Sequence, residues 1–146
     1  IFQCLAVKPN EHEIPLVFEK AKTLGVDEVR IKSAQLYKYK QGNPLMPDKE
    51  EYSRYKRTRQ GEFVLKNTGG NHCWRMWTGS VVTWDGKVVP CCFDKDAAHA
   101  MGELSKDSFT KIWRNPSYQA FRSSILKNRQ GIDICQNCSE GSKVWL

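Results

Sequence analysis

The sequence predicts an α+β protein. It should hold the terminal β/α unit of a truncated barrel, then a small domain with a β-hairpin and helices around a four-cysteine metal site. Three observations carry this. Residues 1–33 read strand, helix, strand, one β/α unit of a parallel sheet. Asp85-Gly86 stands between two β-rich runs, the strongest short-range hairpin signal. Cys73, Cys91, Cys135 and Cys138 fall into two pairs with metal-site spacing.

Residues 2–8 are a short apolar run and read as a strand. Ile14, Val17, Phe18, Ala21 and Leu24 then recur at helical spacing, with Asn10 placed as a cap and Gly25 where a C-terminal glycine belongs. Residues 26–32 follow as a second strand, Val29 and Ile31 on one face. Two strands do not make a stable sheet alone. The unit therefore reads as the end of a barrel or doubly wound domain, and Ile1 in place of Met suits a fragment of a longer protein.

Residues 41–47, with Gly42, Pro44 and Pro47, read as a linker. Residues 48–59 read as a polar helix, acidic Asp48, Glu50 and Glu51 preceding basic Arg54, Lys56, Arg57 and Arg59 by helical steps. Residues 63–65 read as a brief strand, and a loop around Gly69 and Gly70 delivers Cys73. Pro90 lacks an amide hydrogen, so it ends the second hairpin strand and presents Cys91 beyond it. Residues 94–102 read as loop, and Ser105 or Asp107 caps a short helix over 107–113. Asn115-Pro116 pairs an N-cap with proline at the first helical position. That helix carries Tyr118, Phe121, Ile125 and Leu126 on one side, Gly131 closes it, and Cys135 follows in a loop. The chain thus divides into β/α units over 1–40, a linker with a polar helix over 41–69, and the cysteine domain over 70–146.

Hydrophobic residues make up 40 % of the 146 positions, enough for a modest core. No run of about 18 apolar residues is present, so no transmembrane helix is expected, and no secretory signal is visible. The net charge of +7 reads first as a solvated basic surface and second as attraction to nucleic acid. A C-x2-C pair of this kind reads as metal-binding rather than as part of a disulfide framework, which places the protein in the cytoplasm, where thiols stay reduced.

Thiolates are soft ligands, and four of them hold one zinc ion or one iron–sulfur cluster. The hairpin folds the chain so that Cys73 and Cys91 approach from opposite ends of a short ribbon, and the following helices return Cys135 and Cys138 to it. Cys92 competes with Cys91, but the glycine spacing and the strand-ending proline favour Cys91 and leave Cys92 as a small buried residue. Cys4, on an apolar strand, reads as core. His72 neighbours Cys73 and is a further candidate ligand, which four sulfurs make unnecessary; His12 and His99 read as surface. Trp74, Trp77, Trp84 and Trp113 read as core, or as a shield keeping water from the site.

Cys73, twelve residues, Gly86, four residues, Cys91 resembles the C-x(9–15)-G-x4-C opening of the SPASM and twitch domains of radical SAM enzymes. The segment Asp85-Gly86-Lys87-Val88-Val89-Pro90-Cys91-Cys92 is similar to the family's text there. So are Gly102-Glu103-Leu104, Ser108 with Ile112-Trp113, the Phe121-Arg122 pair, and the closing Cys135-x2-Cys138. The resemblance covers about residues 70–141. Residues 1–33, with Asn10 and Glu13, resemble the last β/α units of the radical SAM partial barrel. It implies a [4Fe-4S] auxiliary cluster on Cys73, Cys91, Cys135 and Cys138, in a domain that caps the barrel and assists substrate binding or electron transfer. It also implies a parent enzyme that binds S-adenosylmethionine at a separate cluster and acts on a peptide-like substrate. That cluster needs a C-x3-C-x2-C motif, absent here, so the chain alone is expected to be non-catalytic. No cysteine follows Cys138 up to Leu146, which suits one auxiliary cluster, closer to the twitch form.

The competing reading is a zinc-binding module contacting nucleic acid through its basic face. The 44-residue step from Cys91 to Cys135 is longer than in common zinc ribbons, although zinc can also substitute in an empty four-thiolate site. A thioredoxin-like reading fails, because its C-x2-C belongs between an early strand and a helix. The unpaired edges in residues 1–33 predict self-association.

Overall fold

The computed structural model describes residues 1–140. It has two compact units, Ile1–Asn67 and Thr68–Leu146. Residues 141–146 of the expected cysteine domain lie outside the described residues.

In the first unit β1 (Phe2–Ala6), α1 (Ile14–Thr23) and β2 (Val29–Ser33) form the expected β/α unit, the strands pairing in parallel from Phe2 opposite Val29 to Ala6 opposite Ser33. Side chains alternate across a strand, so Val29 and Ile31 share the half-buried face while Arg30 and Lys32 are exposed. Ala6, Ile14 and Ala21 are buried where the helix covers the sheet. Gly25 turns the chain out of α1 at φ +65°, a conformation open to glycine for want of a Cβ. Asn10 does not cap α1. A 3-10 turn, Lys8–Glu13, precedes the helix, and Asn10 reaches back, accepting from the Val7 N–H at 2.8 Å and donating to the Leu5 carbonyl at 3.0 Å. Cys4 is half-buried rather than core, because a sheet two strands wide leaves its inner face open at the edge.

Residues 48–59 are not a polar helix. Glu50–Tyr52 makes a single 3-10 turn, and the chain then extends as β3 (Tyr55–Arg57), antiparallel to β4 (Phe63–Leu65). Burial of Tyr55 outweighs the helical charge pattern. Tyr55 is 2 % exposed, its hydroxyl accepts from the Leu36 N–H at 2.8 Å and donates to the Leu36 carbonyl at 3.2 Å, and its ring stacks on Tyr39. Gly61, at φ +88°, closes the hairpin. Residues 41–47 are more than a linker, since Met46 joins Ala34, Leu36, Tyr55 and Leu65 in a small core. The buried Glu11 carboxylate accepts from the backbone N–H groups of Asp48 at 3.2 Å and Lys49 at 3.0 Å, pinning this segment to the β/α unit.

In the second unit β5 (Val81–Val82) and β6 (Lys87–Val89) make the expected hairpin, turning at Gly86 with φ +81°. A third strand, β7 (Gly102–Glu103), pairs with β6, beginning at the last residue of the stretch read as loop; two residues carry no alternation to betray it. Cys73 leads into α2 (Arg75–Thr78), a short helix with no sequence signal. Ser108, not Ser105 or Asp107, caps α3 (Phe109–Trp113), accepting from the Lys111 N–H at 3.4 Å. Asn115 caps α4 (Pro116–Asn128) as expected, accepting from the Tyr118 N–H at 2.8 Å. Tyr118, Phe121 and Ile125 are buried, but Leu126 is 54 % exposed, one residue round the helix from the apolar stripe. The helix ends before Gly131 in a 3-10 turn, Arg129–Gly131, and Cys135 lies within α5 (Asp133–Gln136) rather than in a loop. The core joins Cys73, Met76, Val88, Met101, Ile112, Tyr118, Phe121 and Ile125. Burying each large apolar side chain contributes about 1.5–3 kcal/mol. Among the described residues no helix is long and apolar enough to cross a membrane.

Candidate metal centre

Each thiol is delivered by a turn. The Cys73 carbonyl accepts from the Met76 N–H at 3.1 Å as α2 begins, and the Cys91 carbonyl accepts from the Asp94 N–H at 3.1 Å just past β6. The Cys135 carbonyl accepts from the Cys138 N–H at 3.2 Å, which folds the C-x2-C segment back on itself. Cys73, Cys91, Cys135 and Cys138 all line one cavity, walled by the apolar side chains of Met76, Phe93, Phe121, Ile125 and Ile134. Cys73, Cys135 and Cys138 are buried and Cys91 half-buried, and none of them is in a disulfide. The free volume between the walls is about 10 Å³, room for one water-sized sphere.

Burial pushes the Cys91 thiol up to about 11; Cys92, Cys138 and Cys73 add to this and a hydrogen bond from the Phe93 backbone opposes it. Burial likewise pushes Cys135 up to about 12, against the positive charge of Arg129. Cys138 is raised by burial and lowered by the Glu140 N–H and by Arg129. In the metal-free site Cys91, Cys135 and Cys138 are therefore neutral thiols, which a metal must deprotonate. The donor set fits a thiophilic group: four unpaired sulfurs, apolar walls and a buried cation beside them.

Other candidates sit elsewhere. Cys92 is exposed, not buried, because the residue after Cys91 turns away from the core. Cys4 belongs to the first unit. His72 is exposed and does not line the cavity; its N–H donates to the Gly70 carbonyl at 2.7 Å and its carbonyl accepts from Arg129 Nη1 at 2.8 Å. His12 is exposed, as expected. His99 is not a plain surface residue: its Nε2 lies 2.7 Å from Asp133 Oδ1, tying the β6–β7 loop to the start of α5. Trp74, Trp77 and Trp84 are exposed, Trp84 at 98 %, and none of the four tryptophans lines the cavity, so neither core nor shield describes those three. Trp113 is half-buried, packed on the Tyr118 ring and the Arg122 guanidinium.

Sequence reasoning missed Arg129. It is 1 % exposed, lines the cavity, and places Nη2 at 3.3 Å from Cys138 Sγ. A signal existed: residues 118, 122, 125 and 129 recur at helical steps, so Arg122 and Arg129 fall on the apolar stripe.

Residues 73–139 match the family described as SPASM, iron-sulfur cluster-binding domain. The chain is 33 % identical over 64 residues, 43 % of its own length, to the S-adenosyl-L-methionine-dependent 2-deoxy-scyllo-inosamine dehydrogenase of Niallia circulans. It spans 26 % of that relative. Among solved structures it is similar to BtrN (SeMet, in an OPEN conformation), with 30 % identity, 47 % of this chain and 33 % of that one covered, and a TM-score of 0.44. The segment 73–139, which carries all four cavity cysteines, is the part of the chain that is similar to the SPASM iron–sulfur cluster-binding domains.

Proposed function

We propose that Cys73, Cys91, Cys135 and Cys138 hold a [4Fe-4S] auxiliary cluster in a radical SAM enzyme, whose S-adenosylmethionine chemistry would take place at a different cluster. The observation that carries the reading is the meeting of four thiols from three parts of the chain on one apolar cavity. Once bound, the cluster supplies a one-electron carrier. The chain's own residues hold it by four sulfurs, keep it among apolar side chains, and place the Arg129 charge beside one ligand. The relative's printed name, a dehydrogenase, supports electron transfer over substrate binding as the role, since dehydrogenation releases electrons that need an acceptor. The substrate of that relative is a small cyclic amino alcohol by its name, whereas a peptide-like substrate rests on the family resemblance alone. A reducing cytoplasm suits six cysteines that are all unpaired.

A zinc module is less well supported. Sulfurs around zinc sit about 2.3 Å from the ion, and among the described residues no three histidine, cysteine, aspartate or glutamate side chains are grouped to hold a single ion. The basic residues Lys56, Arg57 and Arg59 also lie in the other unit, on the β3–β4 hairpin.

The test is anaerobic reconstitution with iron and sulfide. We expect a brown protein with about four irons per chain. Alanine at Cys73, Cys91, Cys135 or Cys138 should abolish this, while Cys4→Ala and Cys92→Ala load normally. A colourless sample that takes up one zinc would overturn the reading. Loss of iron in Cys92→Ala with retention in Cys91→Ala would move the ligand by one residue.

A further inference from the structure

Arg129 is among the most deeply buried large side chains, at 1 % exposure. Its Nη1 donates to the His72 carbonyl at 2.8 Å and its Nη2 to the Glu140 carbonyl at 2.6 Å, with Cys138 Sγ at 3.3 Å. Its backbone N–H donates to Asn71 Oδ1 at 3.0 Å. The fork thus ties the residue before Cys73 to the strand of chain just after Cys138, bridging two halves of the thiol site.

What the guanidinium lacks is an anion. Among the described residues no carboxylate pairs with it; the Glu140 carboxylate instead faces Arg75 at 3.6 Å. Its Nε has no hydrogen-bond partner. Buried charges are ordinarily paired, because removing an ion from water is costly. Here the groups around the charge are carbonyls and thiols. Ligation turns those thiols into thiolates, and these would supply the missing negative charge.

We propose that Arg129 is a positioning residue of the thiol site: it holds the Cys138 sulfur, and its charge raises the reduction potential of the cluster seated on the four cysteines. The inference rests on the cluster reading above. Reduction adds one electron, and so one negative charge, to an already anionic four-thiolate group. A fixed cation nearby in a water-poor site favours that reduced form. Arg122 does not serve this way. It is 8 % exposed, but it bonds the Met76 and Trp113 carbonyls, lies over the Trp113 and Tyr118 rings, and does not line the cavity.

The test compares the full chain with Arg129→Gln and Arg129→Lys, each reconstituted anaerobically with iron and sulfide. Iron per chain, circular dichroism and a redox titration read by electron paramagnetic resonance are measured. Glutamine removes the charge. We expect the ratio of reduced to oxidised cluster at a fixed applied potential to fall about tenfold or more, about 59 mV for one electron. Lysine keeps the charge without the fork and should titrate close to the wild type, though it unfolds at lower temperature. A loaded Arg129→Gln chain with the wild-type potential overturns the inference alone. If glutamine prevents loading, restored loading with lysine supports the role of charge, and failure of both variants overturns it. A wild-type chain that takes up no iron overturns the cluster reading and this inference together.

Discussion

At Cys91, Cys135 and Cys138 burial raises the thiol pKa while nearby donors lower it, and burial is the larger effect. The sign of the resulting pH dependence follows. In the metal-free fold these thiols bind protons more tightly than in the unfolded chain, where a thiol titrates near 9.0. Their contribution to stability is complete below that pH and is lost as pH rises through about 11 for Cys91 and about 12 for Cys135. The urea midpoint of the metal-free chain should therefore fall between roughly pH 8 and pH 10.5, and a Cys135→Ser variant should fall less. A midpoint that stays level over this range would show that burial at the site is relieved in solution. That Cys91 rather than Cys92 faces the cavity was legible from Gly86 and Pro90, since the turn and the strand end are local devices. The placement of Arg129 was not, because its partners, His72 and Cys138, are set by packing.

The elements divide along the same line. Asn115 caps α4 by a local bond and could be read from Asn-Pro, yet its amide also donates to the Met101 carbonyl at 2.7 Å, which no spacing announces. Asn115→Ala removes both bonds, leaving a buried carbonyl without its donor. It should cost about 2 kcal/mol or more in chemical denaturation, against about 1 kcal/mol for the single cap of Ser108→Ala. Equal costs would show that the Met101 bond contributes nothing. Gly102 is a similar case: a Cβ there would lie 2.8 Å from Ile112 Cγ1, so the glycine serves the contact between β7 and α3. The β5–β6 hairpin was legible because Asp85-Gly86 carries its own turn chemistry. β3 was not, because the charges of residues 48–59 suit a helix and the burial of Tyr55 against Leu36 and Tyr39 is decided from outside the segment.

For the molecule as a whole, the sheet of β1 and β2 has two strands and no others among the described residues, leaving an open edge on each. Leu5, Leu16 and Phe18 are exposed in the same unit. Open strand edges recruit further strands. The chain should therefore scatter light as a species heavier than its 16.8 kDa. Leu5→Lys, which puts a charge on the edge strand, should return it to the monomer mass. A monomeric wild type would overturn this, and the thiol site, built from the other unit, should load equally in both proteins.

By itself the sequence determined what short-range chemistry dictates. This includes the β/α repeat of residues 1–33, the glycine turns at Gly25 and Gly86, the Asn115-Pro116 helix start, and four cysteines at a recognisable spacing. Only the tertiary structure decided which groups surround those cysteines. It chose Met76, Phe121 and Ile125 over the tryptophans as walls, moved Cys92 outward, and brought Arg129 against Cys138. The physical reason is one of range. Turns and caps are set by backbone conformation over a few residues, whereas burial and the pairing of a buried charge depend on neighbours distant in the chain.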